Sequence, residues 1–249
     1  MQTICKKRFH RACLFDSLAD IRLALAYEAG IEPFYLDQID FSSCHTVEGF
    51  RLAGWCYFDQ FRASGEPFIT HPVAVLEIMQ GYGFGPDFAA ACLLHDVLEN
   101  CLHLIDADIL QSLMGKRTAN LVLSVTRDRS DVSRMWAGYD IYQAGLIDWT
   151  TYFLKGGDRF HNQATLKYLP PKNQLNPVIE TLTAYKRWFR HWRDATPKQY
   201  QTKLTILWEG NFVQAEREFA RISKILPEAS RLLEAGHAKA EAYYKFIRA

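Results

Sequence analysis

Histidine and aspartate stand side by side at His95-Asp96, inside a run, FAAACLLHDVLENC, that is apolar on nearly every side. Burying an imidazole and a carboxylate in such surroundings costs several kcal/mol unless each is paired or bound to a metal ion. Two further nitrogen or oxygen ligands complete a divalent site. His71, directly before Pro72, and Asp158, within a later helical stretch, are the natural candidates, so that three helices would converge on one ion. Two imidazoles and two carboxylates without a thiolate suit Mn²⁺ first, and Fe²⁺, Zn²⁺ or Mg²⁺ as alternatives, with positions left open for water and substrate. Glu99 falls one helical turn beyond both His95 and Asp96, where its carboxylate can orient or deprotonate a water. That is a hydrolytic arrangement. Alone, an HD dipeptide would more often be a hydrogen-bonded core pair, with His71 as a helix cap.

The elements that must position these residues are helices, because β-type alternation bounded by turn signals is scarce and the expected fold class is all-α. VAVLEIM reads as a helix with Pro72 in its first turn, stopped by Gly81, Gly83, Gly85 and Pro86. Asp87 is placed to cap the helix carrying His95 and Asp96, whose all-round apolar character assigns it to the interior. Further helices are expected over 106–114, ending at Gly115, and over 119–125. Segment 127–148 is polar and irregular, suited to a loop or short-helix excursion over a site. A helix over 149–169 contains Gly156-Gly157, which points to close packing against a neighbour. Pro170-Pro171 stops it, and a long aromatic helix follows over 178–192. Two or three amphipathic helices are expected over 198–208, 213–225 and 228–247, separated by Gly210 and Pro227.

Lys+Arg 29 against Asp+Glu 28 leaves a net charge of +1, so no global field favours nucleic acid or an anionic membrane, and an anionic ligand must be held locally. The basic N-terminal stretch lacks an uninterrupted apolar run, and no stretch reaches membrane-spanning length, which makes a cytoplasmic location the default expectation. Cys5, Cys13, Cys44, Cys56, Cys92 and Cys101 show no C-x-x-C spacing, which argues against a zinc ribbon or a disulfide framework and for buried or free thiols.

RASGEPFITHPVAVLEIM (62–79), LLHDVLEN, DRFHNQATL and PPKNQLNPVIETLTAY occur in the order found in the hydrolase domain of RelA/SpoT-type alarmone enzymes, and this part of the chain, Arg62 to Tyr185, resembles that domain. The resemblance extends to small stand-alone alarmone hydrolases of the metazoan SpoT-homologue type, which lack a synthetase domain. It implies an HD-domain helical bundle, expected over 51–195, and the segments 1–50 and 196–249, which have no counterpart in that resemblance, are expected to be helical extensions. It also implies Mn²⁺-dependent removal of the 3′-pyrophosphate of guanosine tetra- or pentaphosphate, giving GDP or GTP. His71, His95, Asp96 and Asp158 then correspond to the family's metal ligands and Arg62 to the arginine that stacks on the purine, a role its planar guanidinium suits. Ser64, Asn162 and Thr165 match positions contacting ribose, phosphate or base. Lys155, one turn before Asp158, is placed to balance phosphate charge. The expected partner is a phosphorylated guanine nucleotide, with a homo-oligomer or protein partner as further roles for the terminal helices.

Three departures mark this chain. The family motif HDxxED reads here His95-Asp96-Val97-Leu98-Glu99-Asn100, so an amide replaces the second catalytic acid. Ala63 stands where relatives commonly carry lysine, and Gly156-Gly157 replace Leu-Ala before Asp158. Two alternatives to an active alarmone hydrolase follow: the same fold acting on another phosphorylated nucleotide, such as an adenine alarmone or NADPH, or a nucleotide-binding protein with impaired turnover.

Overall fold

In the computed structural model, which describes residues 17–127 and 137–248, every regular element among the described residues is helical, and an isolated bridge joins Phe61 to Pro67. The expected all-α class is what the chain adopts. Residues 1–16, with Cys5 and Cys13, and residues 128–136 of the polar segment lie outside the described residues. Among the described cysteines, Cys56, Cys92 and Cys101 are buried and Cys44 is exposed. The chain divides into two units, residues 1–126 and 127–249.

Short polar side chains start the first two helices of the first unit. Ser17 accepts the Asp20 amide at 3.2 Å to open α1 (Leu18–Ala29), which Gly30 ends at φ 66°. Ser43 opens α2 (Cys44–Cys56). A turn at 60–68, closed by Arg62 N–H on the Glu66 carbonyl at 2.9 Å and Phe68 N–H on the Gln60 carbonyl at 2.8 Å, leads into α3 (Thr70–Gln80). α4 (Pro86–Leu94) begins at its proline after Gly85, one residue before the expected Asp87 cap; Asp87 instead faces His45 at 3.4 Å. Six of the nine α4 side chains are buried, and α2, α3 and the later α6 (Ala107–Val125) all pack on it, so α4 is the centre of this unit. The α2–α4 approach is close: a Cβ at Gly49 would lie 3.0 Å from that of Ala90. Within α6, Gly115 at φ 77°, ψ 164° interrupts the helical backbone where the sequence places a helix end.

The second unit runs through α7 (Ala137–Ile147), α8 (Thr151–Ala164), a 3₁₀ turn (Leu166–Tyr168), α9 (Pro171–Glu180), a π turn (Thr181–Tyr185), α10 (Lys186–Ala195), α11 (Lys198–Ile222) and α12 (Ala229–Arg248). Residues 137–147 of the polar segment are therefore a helix. α8 and α11 meet where Gly156 leaves room: a Cβ there would stand 2.6 Å from Leu207 and 3.2 Å from the Trp208 indole nitrogen. The close packing expected of the glycine pair is thus realised at Gly156. Asn211, fully buried on α11, donates to the Gly156 carbonyl at 3.1 Å and accepts from Gln163 at 3.1 Å, while the Trp208 indole donates to the Tyr152 carbonyl at 3.0 Å.

Helix continuity differs from expectation at two places in this unit. Gly210 does not end a helix; α11 continues through it because Leu207, Trp208, Asn211 and Phe212 on either side are buried, and that burial outweighs the roughly 1 kcal/mol that glycine costs relative to alanine. The aromatic helix begins seven residues earlier than expected, at Pro171, and carries the π turn at its middle. Hydroxyls of Thr181 and Thr183 return to the Pro177 and Ile179 carbonyls at 2.8 and 2.7 Å across that wider turn.

Candidate metal centre

α4 ends at Leu94, His95 caps it, and Asp96 at φ −99°, ψ −2° opens a single turn, α5 (Val97–Asn100). The sequence predicts one continuous helix here; the backbone breaks at the HD dipeptide itself. In an unbroken helix neighbouring side chains diverge by about 100°, and the break lets the two functional groups approach one point. The Asp96 carbonyl is kept satisfied by the Glu99 and Asn100 amides at 3.2 and 3.0 Å.

His71, in the first turn of α3, faces that point. Its Nε2 lies 3.1 Å from His95 Nε2 and 3.5 Å from Asp96 Oδ2, and His95 Nε2 lies 3.4 Å from Asp96 Oδ1. His71 and His95 are buried and Asp96 is partly open. Ligand atoms bound at about 2.1 Å around one ion are spaced about 3.0 Å apart in an octahedron and about 3.4 Å in a tetrahedron. The observed separations fall in that range. His95 Nδ1 stands 2.8 Å from the Cys92 carbonyl, an acceptor only, so Nδ1 carries the hydrogen and Nε2 keeps a lone pair for a metal. Two imidazole nitrogens at 3.1 Å repel unless a cation or a shared proton lies with them. The first unit thus offers two nitrogens and a carboxylate suited to a divalent ion.

Tyr57 is buried beside this group, and burial, followed by the Asp96 carboxylate, pushes its phenol pKa well above the ordinary value. Its hydroxyl therefore stays protonated. The Phe68 ring lies 4.8 Å from that of Tyr57 and 6.1 Å from that of His71, and carries the Arg62 guanidinium 5.9 Å above its own centroid. Phe68 was not singled out from the sequence, although its place between Arg62 and His71 in the same motif was the available signal. Ser64, in the same turn, donates to Glu66 at 2.9 Å. Glu99 and Asn100 are half-buried on α5.

In the second unit, α8 supplies Asp158, a carboxylate only 5% exposed. Lys155 Nζ donates to Asp158 Oδ2 at 2.8 Å from one turn before, and Asn162 Nδ2 donates to Asp158 Oδ1 at 2.5 Å from one turn after. Both oxygens are thus oriented by the helix that bears them. Burial pulls the Lys155 pKa down, but Asp158 and then Tyr185 more than offset it, so the ammonium stays charged. Thr165 closes α8, its hydroxyl donating to the His161 and Asn162 carbonyls at 3.2 Å. Sequence reasoning missed Glu180 and Tyr185, whose contacts with Arg159 and Arg127 form a second buried charge cluster in this unit.

Residues 50–136 match the family model of the HD domain, and the histidine–aspartate centre falls within that stretch, as does the helix that carries His71. The domain is of the RelA/SpoT type. The chain is 34% identical over 137 residues to a probable GTP pyrophosphokinase of Mycobacterium leprae, a match covering 53% of this chain and 17% of that protein. It is 31% identical over 179 residues to a guanosine-3′,5′-bis(diphosphate) 3′-pyrophosphohydrolase of Vibrio cholerae, covering 69% of this chain and 23% of that one. The chain therefore spans about a fifth of the length of these relatives. The fold is shared with a solved metazoan ortholog of SpoT, described as hydrolysing ppGpp and playing a role in starvation responses, at TM-score 0.52 and 16% identity over 74% of this chain and 98% of that one. No described helix is long and apolar enough to cross a membrane.

Proposed function

We propose that the chain is a Mn²⁺-dependent phosphohydrolase that removes the 3′-pyrophosphate of guanosine tetra- or pentaphosphate, releasing GDP or GTP. The observation that carries this reading is the convergence of His71, His95 and Asp96 at 3.1–3.5 Å with His95 Nδ1 fixed on a carbonyl. Asp158 is assigned as the fourth ligand, and residues 51–195 as the catalytic part with extensions on both sides. The family of the domain and the activities of the relatives support the choice of substrate.

A divalent ion held there supplies Lewis acidity and neutralises charge at the phosphorus under attack. The chain's own groups do the rest. Glu99 accepts a proton from the attacking water on its carboxylate, the water oxygen bonds to the 3′-linked phosphorus, and the bond from phosphorus to the ribose 3′ oxygen breaks, that oxygen taking up a proton returned by Glu99 through solvent, which leaves GDP and pyrophosphate. Arg62 stacks on the purine, moving from the Phe68 ring or sandwiching the base against it. Lys155 adds positive charge beside the phosphates, and Ser64, Asn162 and Thr165 line the nucleotide. The amide of Asn100 holds water but takes no proton, so turnover rests on Glu99.

Asn100 also favours a second reading, a protein that binds the nucleotide with little turnover, and Ala63 a third, a different phosphorylated nucleotide as substrate. Chromatography of products from ppGpp, pppGpp, an adenine alarmone and NADPH, each incubated with the protein and Mn²⁺, separates them. Consumption of ppGpp alone supports the proposal. Consumption of another nucleotide with ppGpp intact rejects it, and binding without any product favours the second reading.

A further inference from the structure

Beside Asp158, the second unit buries another charged cluster. Arg159, next to Asp158 on α8, is 6% exposed; its Nη2 donates to Glu180 Oε2 at 2.8 Å and to the Tyr185 hydroxyl at 3.1 Å, and its guanidinium lies 4.9 Å from the Tyr185 ring centroid. Arg127 donates to Glu180 Oε1 and, at 3.0 Å, to the same hydroxyl. Glu180 and Tyr185 are five residues apart, a spacing that points to different faces of an α-helix, where successive residues rotate by about 100°. The π turn over Thr181–Tyr185, with its i→i+5 spacing, brings both onto the same two guanidiniums. Buried charges held in this way fix geometry, because each member left unpaired is costly.

We propose that Glu180 and Tyr185 are positioning residues for the metal ligand Asp158, acting through Arg159. The inference rests on the metal-centre reading. With Arg159 held by the π turn, α8 is locked in rotation, and Asp158 keeps its oxygens directed by Lys155 and Asn162. When the clamp is removed, Arg159 is a buried cation in search of a carboxylate, and Asp158 stands next to it in sequence on α8. A guanidinium on Asp158 competes with the ion for the same oxygens.

The test is a titration of the full chain with Mn²⁺ alone, followed by the electron paramagnetic resonance signal of the free ion. Wild type is compared with Tyr185→Phe, which keeps the ring and its packing, with Glu180→Gln, and with Tyr152→Phe. The last removes a hydroxyl of the same core that donates to the Tyr142 carbonyl at 3.1 Å. Outer-shell substitutions typically weaken metal binding by 10–100-fold, so Tyr185→Phe and Glu180→Gln are expected to raise the Mn²⁺ dissociation constant about tenfold or more, while Tyr152→Phe binds as wild type does. Unchanged affinity in both clamp variants overturns the inference, as does equal weakening by Tyr152→Phe, which would reveal general loosening of the core. Failure of the wild type to bind Mn²⁺ removes the metal-centre reading itself and the inference with it, so the wild-type curve tells the two failures apart.

Discussion

Replacing Asp158 by alanine leaves Lys155 in a position where its side chain is 9% exposed and has lost its carboxylate partner at 2.8 Å. Removing one member of a buried ion pair costs about 3–5 kcal/mol, because the remaining charge is neither solvated nor compensated. For a chain of this length each kcal/mol moves the melting temperature by roughly 2–4 °C, so Asp158→Ala is expected to lower it by roughly 6–20 °C. Circular dichroism melts in EDTA measure this without any contribution from metal. The double variant Lys155→Met/Asp158→Ala replaces the pair with apolar volume and should recover most of the loss. pH supplies a further check. In the wild type the Lys155 pKa is raised, so its contribution is fully present below the unfolded lysine value of about 10.4 and is lost only as pH rises through the higher folded value. In Asp158→Ala the same lysine is buried without a partner and its folded pKa is depressed, so its penalty fades as pH rises. The gap between wild type and variant should therefore be widest near neutrality and narrow towards pH 10, a value near that of unfolded lysine. A double variant as unstable as the single one, or a gap that widens with pH, refutes the assignment of the loss to a stranded ammonium.

Three other outcomes are expected. Asn100→Asp restores a second acid beside Glu99 and should raise the initial rate of pyrophosphate release from ppGpp, by up to about 100-fold if proton transfer limits turnover; an unchanged rate shows that Glu99 suffices. Arg62→Ala removes a cation–π contact worth roughly 0.5–2 kcal/mol and should raise KM for ppGpp roughly 2- to 30-fold with kcat little changed, measured by steady-state kinetics. Mn²⁺ at about 100 times its dissociation constant adds about 2.7 kcal/mol and should raise the melting temperature by roughly 5–11 °C, a shift absent in His95→Ala.

The all-helical class and the first-unit half of the centre were legible because polarity in an apolar run has few explanations. His95 and Asp96 stand side by side in the largely apolar FAAACLLHDVLENC, and His71 follows a turn that carries Gly65 and Pro67. The break between them was not legible: no Gly or Pro marks it, and the apolar pattern runs straight through. Gly210 misled in the opposite sense, since local propensity says stop and the burial of Trp208 and Asn211 says continue. The Glu180–Tyr185 clamp was invisible because a five-residue spacing matches neither the α nor the β period, and only the π turn gives it meaning. Phe68 was hidden for a simpler reason: an aromatic in a turn reads as ordinary packing until Arg62 is seen above it.

The central claim is that His71, His95, Asp96 and Asp158 hold an ion that drives hydrolysis of a guanosine 3′-pyrophosphate. Its most direct test is release of GDP and pyrophosphate from ppGpp by the purified protein with Mn²⁺, beside an EDTA control and a His95→Ala variant. The account predicts turnover with Mn²⁺ that disappears in EDTA and in the variant. Turnover that persists in His95→Ala, or none in wild type carrying bound Mn²⁺, would contradict it.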